Sequence, residues 1–244
     1  MENPTYIALS SQMALQRQAD VVANNIANLS TPAFKGEEMV FSQYLLRPPG
    51  RGPIAFVQDV GTAQDQRQGP LTNTGNPLDL AVQGPGYFAV QTPLGTRYTR
   101  NGHFQLDAQN QIVTSQGYAV LSSSGLPIQL PSSAKDIAIA CDGTISASQN
   151  GSTSQVGVGQ LQLVDFAVPQ AVVPAANGLY LTDQTAQPAT GTVQQGTIEE
   201  SNVQAVVELT RLMAVTRASG TVKNFLDEES QRQRDAIDKL GKVS

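Results

Sequence analysis

The chain has 244 residues, a net charge of −5, one Cys, one His and no Trp. That length supports one large domain or two smaller ones, with enough interior to fold without covalent staples. The lone Cys141 excludes an intrachain disulfide and a Cys-based metal site, the lone His103 excludes most zinc centres, and the acidic balance argues against a nucleic-acid partner.

Charge is unevenly spread. Residues 70–198 carry only 6 acids and 3 bases, whereas residues 199–244 carry 8 and 7. The middle therefore reads as sparsely charged β structure and the end as a solvated helix. No apolar run approaches the roughly 18 residues of a membrane span, so no membrane insertion is expected. Met1-Glu2-Asn3-Pro4 has neither a basic nor an apolar leader segment, so no cleaved secretory signal is expected.

A first helix is predicted from Pro4 to about Leu29, with Ser30-Thr31-Pro32 ending it. Leu15, Ala19, Val22, Ile26 and Leu29 recur at steps of four and three, the spacing of a heptad seam. Tyr6, Leu9 and Met13 form a second apolar line. Asn24, Asn25 and Asn28 are weak helix formers, tolerable where tertiary contacts hold the helix. Residues 35–69 read as an extended linker: Arg47 to Pro53 is a loop by composition, and Glu37 to Leu46 fits a short strand or a short helix. From residue 70 to 198, short β-prone runs alternate with Gly84-Pro85-Gly86, Asn101-Gly102, Asp142-Gly143, Asn150-Gly151 and Asn177-Gly178. These turn signals predict an all-β domain, a sandwich or barrel-like roll, inserted between the terminal helices. A long helix is predicted from about Ile198 to Leu240. Leu212, Val215, Ser219, Val222 and Leu226 form its seam, and a stutter at Ser230 precedes Gln233, Ile237 and Leu240. The expected organisation is helix 1–34, linker 35–69, β domain 70–198 and helix 199–244, the two helices packing as a coiled-coil bundle. Leu15, Ala19, Val22, Ile26, Leu29, Leu212, Val215, Val222 and Leu226 are the candidate assembly interface.

Three separated blocks carry a resemblance. The first is Ala23-Asn24-Asn25-Ile26-Ala27-Asn28 followed by Thr31-Pro32-Ala33-Phe34-Lys35. The second is Thr74-Gly75-Asn76-Pro77-Leu78-Asp79-Leu80-Ala81-Val82, continued by Gly84-Pro85-Gly86-Tyr87-Phe88 and Tyr98-Thr99-Arg100-Asn101-Gly102-His103-Phe104. The third is Glu199-Glu200-Ser201-Asn202-Val203. In this order they resemble the bacterial flagellar rod and hook axial family, although Pro32-Ala33 stands where the family usually carries a Gly. The start, Tyr6-Ile7-Ala8-Leu9-Ser10, is most similar to proximal-rod members. The alternatives are a distal-rod or a hook subunit. The resemblance implies a structural subunit of a helical tube at the flagellar basal body, in the periplasmic space. It would be exported unfolded by the flagellar type III apparatus, and its partners would be copies of itself and other rod proteins. The family-motif residues are Asn24, Asn25, Asn28, Phe34, Lys35, Gly75, Asn76, Pro77, Leu78, Asp79, Ser201, Asn202 and Val203.

No cofactor and no catalysis are expected. His103 reads as a turn residue, Cys141 as a small buried hydrophobe, Asp79 as an exposed strand or turn residue, and Arg97 and Arg100 as part of a solvated face. Gly84-Pro85-Gly86 precedes a strand and so is not a dinucleotide loop. A fibre-type adhesin with a β binding domain is the competing class, and such stalks usually place a coiled coil at one end only. A wall hydrolase would need paired carboxylates or a nucleophile with its base, and neither is visible.

Overall fold

The computed structural model describes residues 3–46, 54–132, 134–149 and 155–241. The fold is mixed, with helices at both ends and a β-rich middle. It divides into two compact units, one built from the terminal helices and a hairpin, the other from residues 30–35 and 66–202.

In the helical unit, α1 (Asn3–Ala27) contains no Gly, and its apolar residues recur at helical spacing. The Asn28 amide and its side-chain nitrogen both donate to the Asn24 carbonyl, at 3.1 and 2.9 Å. Two of the weak helix formers thus satisfy a carbonyl that the helix end would otherwise orphan. The hairpin of β1 (Glu37–Leu46) and β2 (Ile54–Gln64) packs in the same unit. Its register shifts between Val40 and Phe41, where β2 carries an extra residue. Glu37–Leu46 is therefore a strand, not a helix. The Arg47–Pro53 loop and the Asn150-Gly151 turn signal lie outside the described residues.

The second helix, α2, spans Ala205–Gly241. It begins later than the expected 198 or 199, because residues 197–199 are held in a strand. The helices run antiparallel: Gln12 Nε2 donates to Ser219 Oγ at 2.9 Å, and Asn25 Nδ2 to Glu208 Oε2 at 3.4 Å. Ala8, Ala14, Val22 and Val215 are buried. At 1.5 Å per residue, α2 is about 55 Å long against about 38 Å for α1. Residues 231–239 are all exposed.

The β unit begins with β3 (Leu71–Asn73), β4 (Leu80–Gln83), β5 (Tyr87–Thr92), β6 (Gly95–Thr99), β7 (Phe104–Leu106), β8 (Ile112–Thr114) and β9 (Ala119–Val120). A three-stranded meander follows: β10 (Ala134–Ile139), β11 (Thr144–Gln149) and β12 (Gln155–Gln160). Then come β13 (Leu163–Asp165), β14 (Val173–Pro174), β15 (Leu179–Leu181), β16 (Gln187–Pro188), β17 (Thr192–Gln195) and β18 (Thr197–Glu199). The largest sheet runs β14-β15-β6-β5-β9-β8-β7. The pairings are antiparallel, and short hairpins join β5 to β6 and β7 to β8. Asn177 and Gly178 take φ of 64° and 69°, the left-handed pair that a tight turn between β14 and β15 needs. Leu80, Val82, Phe88, Val90, Phe104, Ile112, Val120 and Ile145 fill the main core. Tyr87, Val164, Phe166, Val172 and Tyr180 make a smaller aromatic cluster. The unit's last strands return to its first: β18 pairs with β3 and β17 with β4.

Candidate functional site

The Thr31–Lys35 end of the first block, the second block and residues 199–202 of the third converge inside the β unit. Residues 30–35 run beside 199–202, with Ala33 N donating to the Glu199 carbonyl at 2.8 Å and Asn202 N to the Phe34 carbonyl at 3.2 Å. This delivers Lys35 to a carboxylate 164 positions away: Lys35 Nζ lies 2.6 Å from Glu199 Oε1. The other carboxylate oxygen takes Arg100 Nε at 3.0 Å. The Glu199 side chain is wholly buried, and those of Lys35 and Arg100 nearly so. Arg100 Nη1 also donates to the Gly86 carbonyl at 2.7 Å, and Nη2 to those of Gly84 and Val82 at 2.7 and 3.3 Å. Lys35 Nζ donates to the Arg67 carbonyl at 2.7 Å, which Asn202 Nδ2 also reaches at 2.9 Å. Gly69 N donates to Glu199 Oε1 at 2.9 Å, and a Cβ there would sit 2.1 Å from the Glu200 carbonyl oxygen, so only glycine fits.

This cluster corrects the reading of Arg100 as a solvated residue. It is buried because a carboxylate and three carbonyls from the Gly84-Pro85-Gly86 turn region replace its water. The Arg100 guanidinium also lies 5.9 Å from the Tyr87 ring centre. The Tyr87 phenol is pushed above its ordinary range, chiefly by burial; Arg100 opposes the shift, while Asp165 and Glu199 add to it. A cleft of about 230 Å³ beside Arg100 is lined by Gln66, Gln68, Tyr87 and Asp165.

A second network organises the middle block. Asp79 is buried, not exposed as expected. Its carboxylate accepts from Thr74 Oγ1 at 2.7 Å and Asn76 Nδ2 at 3.1 Å, and lies 2.7 Å from His103 Nδ1. Its backbone pairs with His103, and its carbonyl accepts from Gly196 and Thr197. Gly75 supplies a positive φ of 71° in this turn. Nearby, the Pro77 carbonyl accepts from Gln195 Nε2 and the Leu78 carbonyl from Phe104 N. The carboxylate thus ties a turn together.

In the helical unit Asn25 is 2% exposed. Its side chain donates to the Glu37 carbonyl and accepts from the Glu37 amide, both at 2.9 Å, fixing β1 to α1. Glu208, buried on α2, takes Arg211 Nη1 at 2.8 Å, and Arg211 Nη2 reaches Glu38 at 3.0 Å. Of the seam residues, Val22 and Val215 are buried, and Leu15, Ala19, Ile26, Leu29, Leu212, Val222 and Leu226 are half-buried. Outside that seam stand Tyr6, Leu9 and Met13 on α1, 50–59% exposed, and Val206, Leu209 and Met213 on α2, 48–78% exposed. Both trios have the spacing i, i+3, i+7, so each lines one helix face.

Cys141 is exposed and lines a cleft of about 680 Å³, a correction to its reading as a buried hydrophobe. The Asp142-Gly143 turn that follows carries it to the surface, where only its carbonyl is engaged, by Val193 N. Among the described residues, no group of three or more His, Cys, Asp or Glu side chains is placed to hold a metal ion. Ser201 is buried, and Asn202 and Val203 are half-buried where the β unit ends. The sequence motif marks Lys35, but it does not reveal Glu199 as its partner or Arg100 as the second cation on that carboxylate. Both lie in the quoted blocks, and Arg100 is one of only three bases between residues 70 and 198, which was the available signal.

Three family models match along the chain: flagella basal body rod protein over residues 6–35, the flagellar hook protein FlgE/F/G D1 domain over 81–147, and the flagellar basal body rod FlgEFG protein C-terminal region over 194–218. The flagellar basal-body rod protein FlgF of Caulobacter vibrioides is 36% identical, with all of both chains covered. FlgF of Rhizobium meliloti is also 36% identical, over 99% of each. The rod protein FlgG of Bacillus subtilis is 32% identical, over 87% of this chain and 89% of its own. With likeness at this level along its whole length, and with the three motif blocks meeting on one buried carboxylate, the chain belongs to the flagellar basal-body rod protein family.

Proposed function

We propose that this chain is a structural subunit of the flagellar basal-body rod, in its proximal segment, and that it assembles through its terminal helices. Matches to FlgF proteins over 99–100% of the chain, against 86–87% for FlgG proteins, support the proximal reading over the distal one. The observation that carries assembly is the pair of exposed apolar trios, Tyr6-Leu9-Met13 and Val206-Leu209-Met213. Contiguous exposed apolar faces mark contact surfaces.

In this reading the seam residues hold α1 and α2 together within a subunit, and the outward trios meet neighbouring copies and other rod proteins. A repeated contact between unlike faces leaves the assembly open, so it grows as a helical tube, with the helices bundled as coiled coils. Export through the flagellar apparatus, and residence in the periplasmic space, complete the proposal. The role is mechanical, without catalysis: Asp79 and His103 act as turn-holding residues, and His103→Ala leaves rod assembly intact. Helices at both ends also favour a rod subunit over an adhesin stalk.

The test is electron microscopy of basal bodies from a strain lacking the gene, complemented with wild type or with Leu9→Asp. Rods are expected to be absent or truncated in the deletion and in Leu9→Asp. A full-length rod in the deletion strain would overturn the proposal.

A further inference from the structure

The β unit is closed by its own last residues. β3 pairs with β18, β4 with β17, and residues 33–34 bond to residues 199 and 202. Charge follows the same order. The acceptors around Arg100 other than Glu199 are the carbonyls of Val82, Gly84 and Gly86, all earlier in the chain. Carbonyl dipoles solvate a guanidinium but do not neutralise it. The carboxylate on Arg100 comes from residue 199, 99 positions later, and the same carboxylate meets Lys35. Burying a cation without its counter-charge is strongly unfavourable.

We propose that Glu199 is a folding gate: a chain emerging from its N-terminus holds the β unit open until residue 199 arrives, and that carboxylate then closes it. Strand pairing and charge neutralisation are completed together, by residues 192–202. The consequence is a chain that stays extended and threadable through most of its emergence, then folds in one late step. This goes beyond the assembly role and rests on the Arg100–Glu199 geometry and strand order alone.

The Lys35, Arg100 and residue-199 side chains sum to +1 in the wild type, +2 in Glu199→Gln, and +1 again in Arg100→Met/Glu199→Gln, which removes the very cation that the carboxylate neutralises. The test measures protease cleavage of the β unit in these full-length proteins, and in wild-type nascent chains stalled at graded lengths. Chains stalled before residue 199 has cleared the ribosome are expected to be cleaved as unfolded. Full-length Glu199→Gln is expected to be cleaved on the order of a hundredfold faster than wild type, and the double variant to recover a substantial part of the protection. Protection of the shorter nascent chains, or wild-type resistance in Glu199→Gln, would overturn the gate. Failure of the double variant to recover would equally overturn it, because lost packing rather than unneutralised charge would then be the cause.

Discussion

Substituting Asn25 by Asp changes one buried nitrogen to oxygen and tests how the helical unit is held. The Asn25 amide sits between the Glu37 carbonyl at 2.9 Å and Glu208 Oε2 at 3.4 Å. A carboxylate there loses the donor to Glu37, an orphaned buried acceptor costing about 1–3 kcal/mol. It also faces a second carboxylate. At 3.4 Å and an effective dielectric near 20, that repulsion is about 5 kcal/mol. Arg211 on the other Glu208 oxygen offsets part of it, so the expected net loss near neutral pH is about 3–5 kcal/mol. The penalty depends on pH with a definite sign. The folded state raises the pKa of the new carboxyl above its ordinary value of about 3.9, because the protonated form restores a donor and removes a charge. The folded state then binds more protons than the unfolded state, so stability falls as pH rises from about 4 and levels off above the raised pKa. The assay is hydrogen exchange of α1 and α2 amides in wild type and Asn25→Asp, at about pH 4 and about pH 7.5. Opening free energies within about 0.5 kcal/mol of wild type at the higher pH would refute the claim that Asn25 is a buried clamp.

Leu9→Asp, on an exposed face, is expected to change the thermal stability of the isolated protein by less than about 0.5 kcal/mol while abolishing swimming; a destabilised monomer would mean that Leu9 serves the fold instead. Gly69→Ala places a methyl carbon 2.1 Å from the Glu200 carbonyl oxygen, and denaturant unfolding is expected to show a loss of about 2–4 kcal/mol. Arg100→Lys keeps the charge but loses the fork that reaches Glu199 and three carbonyls together; urea unfolding of the β unit is expected to show about 2–4 kcal/mol lost, and a neutral result would show that charge alone suffices there. The Asp142 carboxyl is held below its ordinary range, first by the Thr144 amide and then by the Thr144 hydroxyl. Its contribution to the turn is present above the ordinary carboxylate range and is lost as pH falls through the depressed value, so an NMR titration is expected to find its midpoint low in wild type and nearer ordinary in Thr144→Ala.

Features set by neighbours along the chain were legible in the sequence. The heptad spacing of Leu15 to Leu29 placed α1, and the seam from Leu212 to Leu226, resumed after the stutter at Ser230, placed the body of α2. The Gly and Pro signals marked the middle as β-rich, and Asn177-Gly178 made the turn that two left-handed residues make. Features set by partners far along the chain were not legible. Glu199 reads as one acid at the start of a charged helix, yet it is drawn into a strand by Leu71 and buried by Lys35 and Arg100. Asp79 reads as an exposed strand or turn residue, yet Thr74, Asn76 and His103 enclose it. Residues 37–46 carry no decisive period, and only pairing with residues 54–64 makes them a strand. Local propensity and periodicity act over one or two turns of chain and can be read from composition. The burial of a charge depends on which distant group neutralises it, and that is decided only when the tertiary fold brings residues 35, 100 and 199 together.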